Sequence, residues 1–213
     1  MCSRYYVELS PELRPIIEAA QHSSLAAKMV HDLGRPVVTE GEVKPTDIAP
    51  VIAPNAKGQK SVFPMIWGFQ QAERDNTRRS QPLINARSET ADTKPTFREC
   101  WQRRRCVIPA SYYFEWEHLT RPDGSKKAGD KYAIQPVGAT VTYFAGLYRI
   151  EIGFPYFPVL TREPSTALAR LHDRMPLILP PEEMNAWINP ETEPEQVKEI
   201  ASGALTEMII EKA

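Results

Sequence analysis

Met1-Cys2-Ser3-Arg4 opens the chain, and the thiol at position 2 has the least ordinary chemistry in it. Methionine aminopeptidases accept a small second residue, so removal of Met1 leaves Cys2 with a free α-amine two carbons from a free thiol. That pair is a 1,2-aminothiol. With an amine pKa of about 7.7–8.0 and a thiol near about 8.5, both nucleophiles are available near neutral pH. An aldehyde forms a Schiff base with the amine, and the thiol then closes on the imine carbon to give a five-membered thiazolidine. Closure is intramolecular, which favours it. While Met1 stays attached the α-amine is an amide and no thiazolidine forms.

Other polar residues stand in apolar surroundings: Asn85 and Arg87 in Leu83-Ile84-Asn85-Ala86-Arg87, Glu115 between Phe114 and Trp116, and His172-Asp173-Arg174 ahead of Met175-Pro176. Each has a structural explanation: a hydrogen bonder in a strand, one end of a buried ion pair, a bonded loop histidine. Each also has a chemical one. A carboxyl flanked by aromatic rings has a raised pKa suited to proton transfer, and histidine titrates near neutrality.

The remaining cysteines, Cys100 and Cys106, lack CxxC spacing and read as core residues, so neither a disulfide framework nor a zinc site is expected. There is no glycine-rich phosphate loop, and no metal or cofactor is called for. With 213 residues and 42% hydrophobic content the chain suits one globular domain over 1–213. It shows no secretory leader and no apolar run long enough to span a membrane, which points to the cytoplasm, in a bacterium beside the nucleoid. Net charge is −1, yet 12 basic against 7 acidic residues lie between Arg78 and Lys131, and 2 against 8 from Pro181 to the end. One basic face on a near-neutral protein fits a nucleic-acid partner.

The elements that must position these groups are short. Strands are predicted at Arg4–Glu8, Ser61–Phe69, Leu83–Arg87, Cys106–Glu117, Tyr132–Gln135, Val141–Ile150 and Phe157–Thr161. Helices are predicted from Ser10, with Pro15 interrupting an early turn, at Ser24–Leu33, over Ser88–Arg105 with a break at Pro95, and at Glu182–Ile188. Gln70–Gln81 reads as a polar loop carrying Arg78 and Arg79, and Glu193–Lys212 as amphipathic at best. Twenty prolines favour many short strands over long helices. The expected fold is α+β, a single domain with a largely antiparallel, barrel-like β-sheet and short peripheral helices.

Five ordered motifs then resemble one family, the SOS-response-associated peptidase (SRAP) proteins, which include the mammalian 5-hydroxymethylcytosine-binding, embryonic-stem-cell-specific protein. They are Met1-Cys2-Ser3-Arg4, Trp67-Gly68-Phe69, Ile84 to Thr90, Tyr113 to Trp116 and His172 to Pro176. The resemblance implies a DNA-damage-response protein that crosslinks abasic sites in single-stranded DNA through Cys2, with a β-elimination (lyase) side activity. It implies that Asn85 bonds near Cys2 and the sugar, that Arg87 pairs with phosphate, and that Glu115 and His172 move protons. Arg4, Arg78, Arg79 and Arg174 are expected on the DNA, with Trp67 or Phe69 stacking on bases. No metal, no membrane and a monomer complete the expectation. Ser3 departs from the glycine common after Cys2 in the family, and Asp47 from a common asparagine. Two other readings remain open: a thiol peptidase, acting on its own first residue, and a non-covalent reader of single-stranded or modified DNA.

Overall fold

Proline-broken runs of β-branched and aromatic residues make short strands that bury one face each. In a computed structural model, which describes residues 2–71, 81–121 and 123–213, these strands build two curled sheets. The chain runs through β1 (Tyr5–Val7), α1 (Arg14–Gln21), α2 (Ser24–Leu33), β2 (Gly41–Val43), β3 (Ile48–Pro54), β4 (Lys60–Trp67) and β5 (Asn85–Arg87). It continues through α3 (Ser88–Ala91), α4 (Pro95–Arg103), β6 (Arg105–Ala110), β7 (Tyr112–Thr120), β8 (Lys126–Pro136), β9 (Thr142–Leu147) and β10 (Arg149–Glu151). It ends with β11 (Phe154–Phe157), β12 (Val159–Arg162), β13 (Met175–Pro176), α5 (Met184–Ile188), α6 (Pro194–Ser202) and β14 (Met208–Lys212). The fold is α+β, a half-barrel with peripheral helices, as expected.

One sheet has the order β14-β8-β7-β1-β2 and is antiparallel throughout. The other runs β10-β11-β4-β3-β6-β9-β12-β13, with β5 alongside β12. Its parallel pairs are β11 with β4 and β12 with β5. One apolar cluster lies under the helices, with Trp101, Trp187, Met29 and Leu160. A second includes Cys2, Tyr5, Trp67, Tyr113, Phe144 and Phe157, from strands of both sheets. The chain's amino-terminal thiol is thus part of a core.

Several boundaries differ from expectation for identifiable reasons. The first helix starts at Arg14, and Pro15 sits in its first turn, where its missing N–H costs no intrahelical bond. Cys106–Glu117 divides at Ser111 into β6 and β7, which belong to different sheets. The Ser88–Arg105 helix becomes two, and Pro95 starts the second instead of only ending the first. The tail closes as β14 against β8, from Met208 opposite Pro136 to Lys212 opposite Tyr132, a pairing that depends on a partner far away in sequence. No helix among the described residues is long and apolar enough to cross a membrane.

Candidate active site

Cys2 is fully buried just ahead of β1, and its Sγ lies 3.7 Å from the Arg4 carbonyl oxygen, the acceptor for the thiol proton. Asn85, at the start of β5, donates from Nδ2 to the Cys2 carbonyl oxygen at 2.8 Å, so one side chain spans from the second sheet to the chain terminus. β5 can do this because Gly68, at φ +107, turns the chain after β4. A Cβ there would sit 2.9 Å from Pro82 Cβ and 3.0 Å from Ile84 Cγ2, so only glycine lets the Leu83–Arg87 stretch fold back this closely. Trp67 then donates from Nε1 to the Ile84 carbonyl oxygen at 2.9 Å, fixing the residue next to Asn85.

Glu115 lies on the inward face of β7 and is 5% exposed. Burial pushes its carboxyl up from 4.5 to about 7, and the charge of Asp173 adds to the rise. Burial, followed by the Glu115 charge, also pushes the Cys2 thiol far above its ordinary range. This corrects the expectation of a partly ionised thiol: an apolar pocket beside a carboxylate opposes a second negative charge. Burial therefore favours the neutral thiol at Cys2 over the thiolate. Tyr5 and Tyr113, paired across β1 and β7, are fully buried around this thiol, and the charge of Cys2 adds to the upward shift that burial gives both phenols.

His172 comes from the loop between β12 and β13, with its side chain 10% exposed. Its Nδ1 accepts from the Arg174 backbone N–H at 3.0 Å and also lies 2.6 Å from Asp173 Oδ1. The first contact uses a lone pair on Nδ1 and the second a proton, so each protonation state of the ring has its own partner. Arg174 is buried: Nη2 donates to the Thr161 carbonyl oxygen and to Glu89 Oε2, both at 2.7 Å. Its guanidinium ties the His172 loop to β12 and α3, which corrects its expected place on the DNA surface.

Trp67 and Phe69 are 0% exposed, so neither ring can stack on a base in this conformation. Trp67 lies parallel to Phe157 at 6.3 Å, and Phe69 packs on Phe97 with the Arg149 guanidinium 4.1 Å above it. Arg87 is exposed at the end of β5. Arg4 reaches Glu42 Oε2 at 2.9 Å, and Glu42 also takes Lys131 at 2.9 Å and Lys44 at 3.7 Å. Three cations on one carboxylate leave a positive patch beside the terminus. Lys131 Nζ further lies 3.5 Å from the ring centre of Phe114 and 5.4 Å from that of Trp116. Arg78 and Arg79 lie outside the described residues. Asp47 caps its own turn, accepting from the Lys44 N–H at 2.8 Å. No group of three or more metal-ligating side chains occurs among the described residues.

A family model described as SOS response associated peptidase (SRAP) matches residues 1–211. The chain belongs to the SRAP family. Among relatives of this SRAP chain, the abasic site processing protein YoaM of Bacillus subtilis is 31% identical over 140 residues, 63% of this chain and 60% of that protein. The abasic site processing protein YedK of Escherichia coli is 32% identical over 148 residues, 65% and 60% respectively. The yeast abasic site processing protein YMR114C is 30% identical over 157 residues, 69% of this chain and 39% of that one. Each match thus spans less than two thirds of the relative's own length. A solved protein of Bacteroides thetaiotaomicron shares the SRAP fold at a TM-score of 0.71 and 22% identity, covering 98% of this chain and 90% of that one. A phage-related protein of Bordetella bronchiseptica does so at 0.69 and 20%, covering 100% and 94%.

Three features of this SRAP site lay outside the sequence expectations. Glu42, Lys44 and Lys131 join Arg4 only through strand register, Tyr6 opposite Glu42 and Trp116 opposite Lys131. Tyr5 and Tyr113 look like ordinary core aromatics until their pairing around Cys2 is seen. His118 stands with its ring centre 4.4 Å from that of His172. Strict alternation along β7 would put it on the face opposite Glu115. The register shift between Trp116 and His118 sets two β8 residues, Gly129 and Asp130, against Glu117 alone, so the extra residue lies in β8 and the ladder twists more strongly beside His118.

Proposed function

We propose that this chain processes abasic sites in single-stranded DNA by covalent self-attachment through Cys2. The observation that carries the reading is a proton-carrying carboxyl, Glu115 at about 7, buried against a thiol whose own backbone carbonyl is held by Asn85. The names of the relatives, abasic site processing proteins, agree with it.

The chemistry starts with Met1 removed. Glu115 takes the proton of the sugar's anomeric hydroxyl as the ring carbon–oxygen bond breaks, and His172 gives a proton to the departing ring oxygen, leaving an aldehyde. The α-amine of Cys2 adds to the aldehyde carbon, moving an amine proton to the oxygen. His172 protonates that hydroxyl, water leaves, and an iminium remains. The Cys2 sulfur then bonds to the iminium carbon while its proton passes to Glu115, closing the thiazolidine. The net change is one aldehyde and one aminothiol converted to one thiazolidine and one water. The raised thiol makes the last proton transfer necessary, because no thiolate is waiting. Proton loss beside the iminium instead gives β-elimination and strand cleavage, the lyase branch.

Arg4, Lys44, Lys131 and Arg87 hold phosphates, while Asn85 and Arg174 position the reacting groups. Purified protein lacking Met1 is expected to give a heat-stable adduct with an abasic single-stranded oligonucleotide. Cys2→Ala is expected to give none, and equal adduct from that variant would sink the proposal. A non-covalent reader would keep its DNA affinity and form no adduct even as wild type. If the same groups also remove Met1, Glu115→Gln made without aminopeptidase will retain it by intact mass while wild type does not.

A further inference from the structure

We propose that His118 is the proton-exchange partner of His172, linking it to solvent; the inference rests on the crosslinking chemistry proposed above. The two imidazoles lie 4.4 Å apart, centre to centre, with planes inclined by 59°. His118 is exposed, whereas the His172 side chain is 10% exposed and its neighbour Asp173 is close enough for its charge to act on Glu115. The β7–β8 ladder shifts register directly beside His118, where two β8 residues, Gly129 and Asp130, face Glu117, and at this point the His118 ring meets that of His172.

The need for such a partner follows from counting protons. Opening the sugar uses one proton from His172 and puts one on Glu115, and forming the iminium and closing the thiazolidine does so again. His172 must therefore be recharged, and Glu115 emptied, between the two events. With a DNA strand over the site, a 10% exposed ring has little direct access to water, and the exposed His118 ring beside it provides the route. Nδ1 of His172 is ready for both states, with the Arg174 N–H as donor to the neutral ring and Asp173 as acceptor from the charged one. The loop brings Asp173 and Arg174 to the His172 ring, and the charged residues adjoining His118 in the β7–β8 ladder include Glu115, Glu117 and, opposite Leu119, Lys127. Two imidazoles in contact do not both hold a proton readily, so one charge shuttles between them.

His118→Phe keeps a ring against His172 and removes the proton, and His118→Gln removes the ring at an exposed position. In dilute buffer both are expected to slow single-turnover adduct formation by about tenfold without changing the final yield. Millimolar imidazole should restore the rate for both, and leave wild type unchanged. A His118→Phe protein as fast as wild type in dilute buffer shows that the contact is packing and overturns the proposal. Independently of any adduct, the NMR titration of His172 should move to higher pH in His118→Gln, because a like charge is removed. An unmoved midpoint also overturns it. Wild-type protein that forms no adduct at all removes the crosslinking reading instead, and leaves the histidine coupling to be decided by the titration.

Discussion

Glu115 pulls stability and chemistry in opposite directions. Its carboxyl titrates from 4.5 unfolded to about 7 folded, so between those values the folded state binds more protons than the unfolded one. Stability therefore falls as pH rises from about 4.5 through about 7 and is level above, by about 3 kcal/mol at most, since each unit is worth about 1.4 kcal/mol. Glu115→Gln keeps the shape and abolishes the ionisation. It is expected to be more stable than wild type at pH 8 by about 2–3 kcal/mol and equal to it near pH 4, measured by urea denaturation at both pH values. In the adduct assay the same variant should lose at least about a hundredfold in rate. On the proposed mechanism wild-type rates should rise with pH through about 7, as the Glu115 carboxylate forms. Equal pH profiles for variant and wild type would falsify the assignment. In the sequence this residue was legible as an acid between two aromatic rings. Its effect on Cys2 was not, because a reference thiol pKa says nothing about a carboxylate placed beside it by folding.

At the scale of elements, the Trp67-Gly68-Phe69 motif has a different use from the one its aromatic rings suggest. The glycine makes the turn, Trp67 bonds the Ile84 carbonyl, and the Phe69–Leu83 bridge closes the loop, so the motif aims β5 and its Asn85 at Cys2. Gly68→Ala meets both a left-handed φ and two contacts near 3 Å. It is expected to lose about 2–3 kcal/mol, read as a lower urea midpoint with unchanged slope, and to lose adduct rate beyond what the fraction unfolded explains. Wild-type stability in Gly68→Ala would mean that the Pro82 side simply yields. The sequence disclosed the strands and the second helix here because periodicity and caps are local: Ser23 caps α2 through its hydroxyl, and Gly34 ends it at φ +66. It hid the division of β6 from β7, the tail strand β14 and the register shift between β7 and β8, which depend on partners more distant in sequence.

Across the whole molecule, a net charge of −1 conceals a separation that a DNA strand would feel. The acidic tail includes α6, while Arg4, Lys44 and Lys131 gather on Glu42 next to the terminus. Lys131 covers Phe114, so part of its hold is local, and Glu42 is kept ionised by its hydrogen bond from Lys131 and then from Arg4, which lower its pKa. Such exposed ion pairs add little to stability, about 0–1 kcal/mol each, which leaves the cations available to phosphate. If they lie under the DNA, each phosphate neutralised releases counterion, and on a single strand each contact contributes about 0.7 to the slope of log affinity against log salt. The proposed covalent step would mask this, so the measurement uses Cys2→Ala with an abasic oligonucleotide across a salt series. Lys44→Ala with Lys131→Ala in that background should weaken binding and flatten the slope by about 1.4. Glu42→Gln should do the opposite, strengthening binding at low salt by freeing the three cations from their shared carboxylate. If the double lysine variant keeps both affinity and slope, the strand runs elsewhere, over the exposed Arg87 side of the half-barrel, and Arg87→Ala will then show the loss.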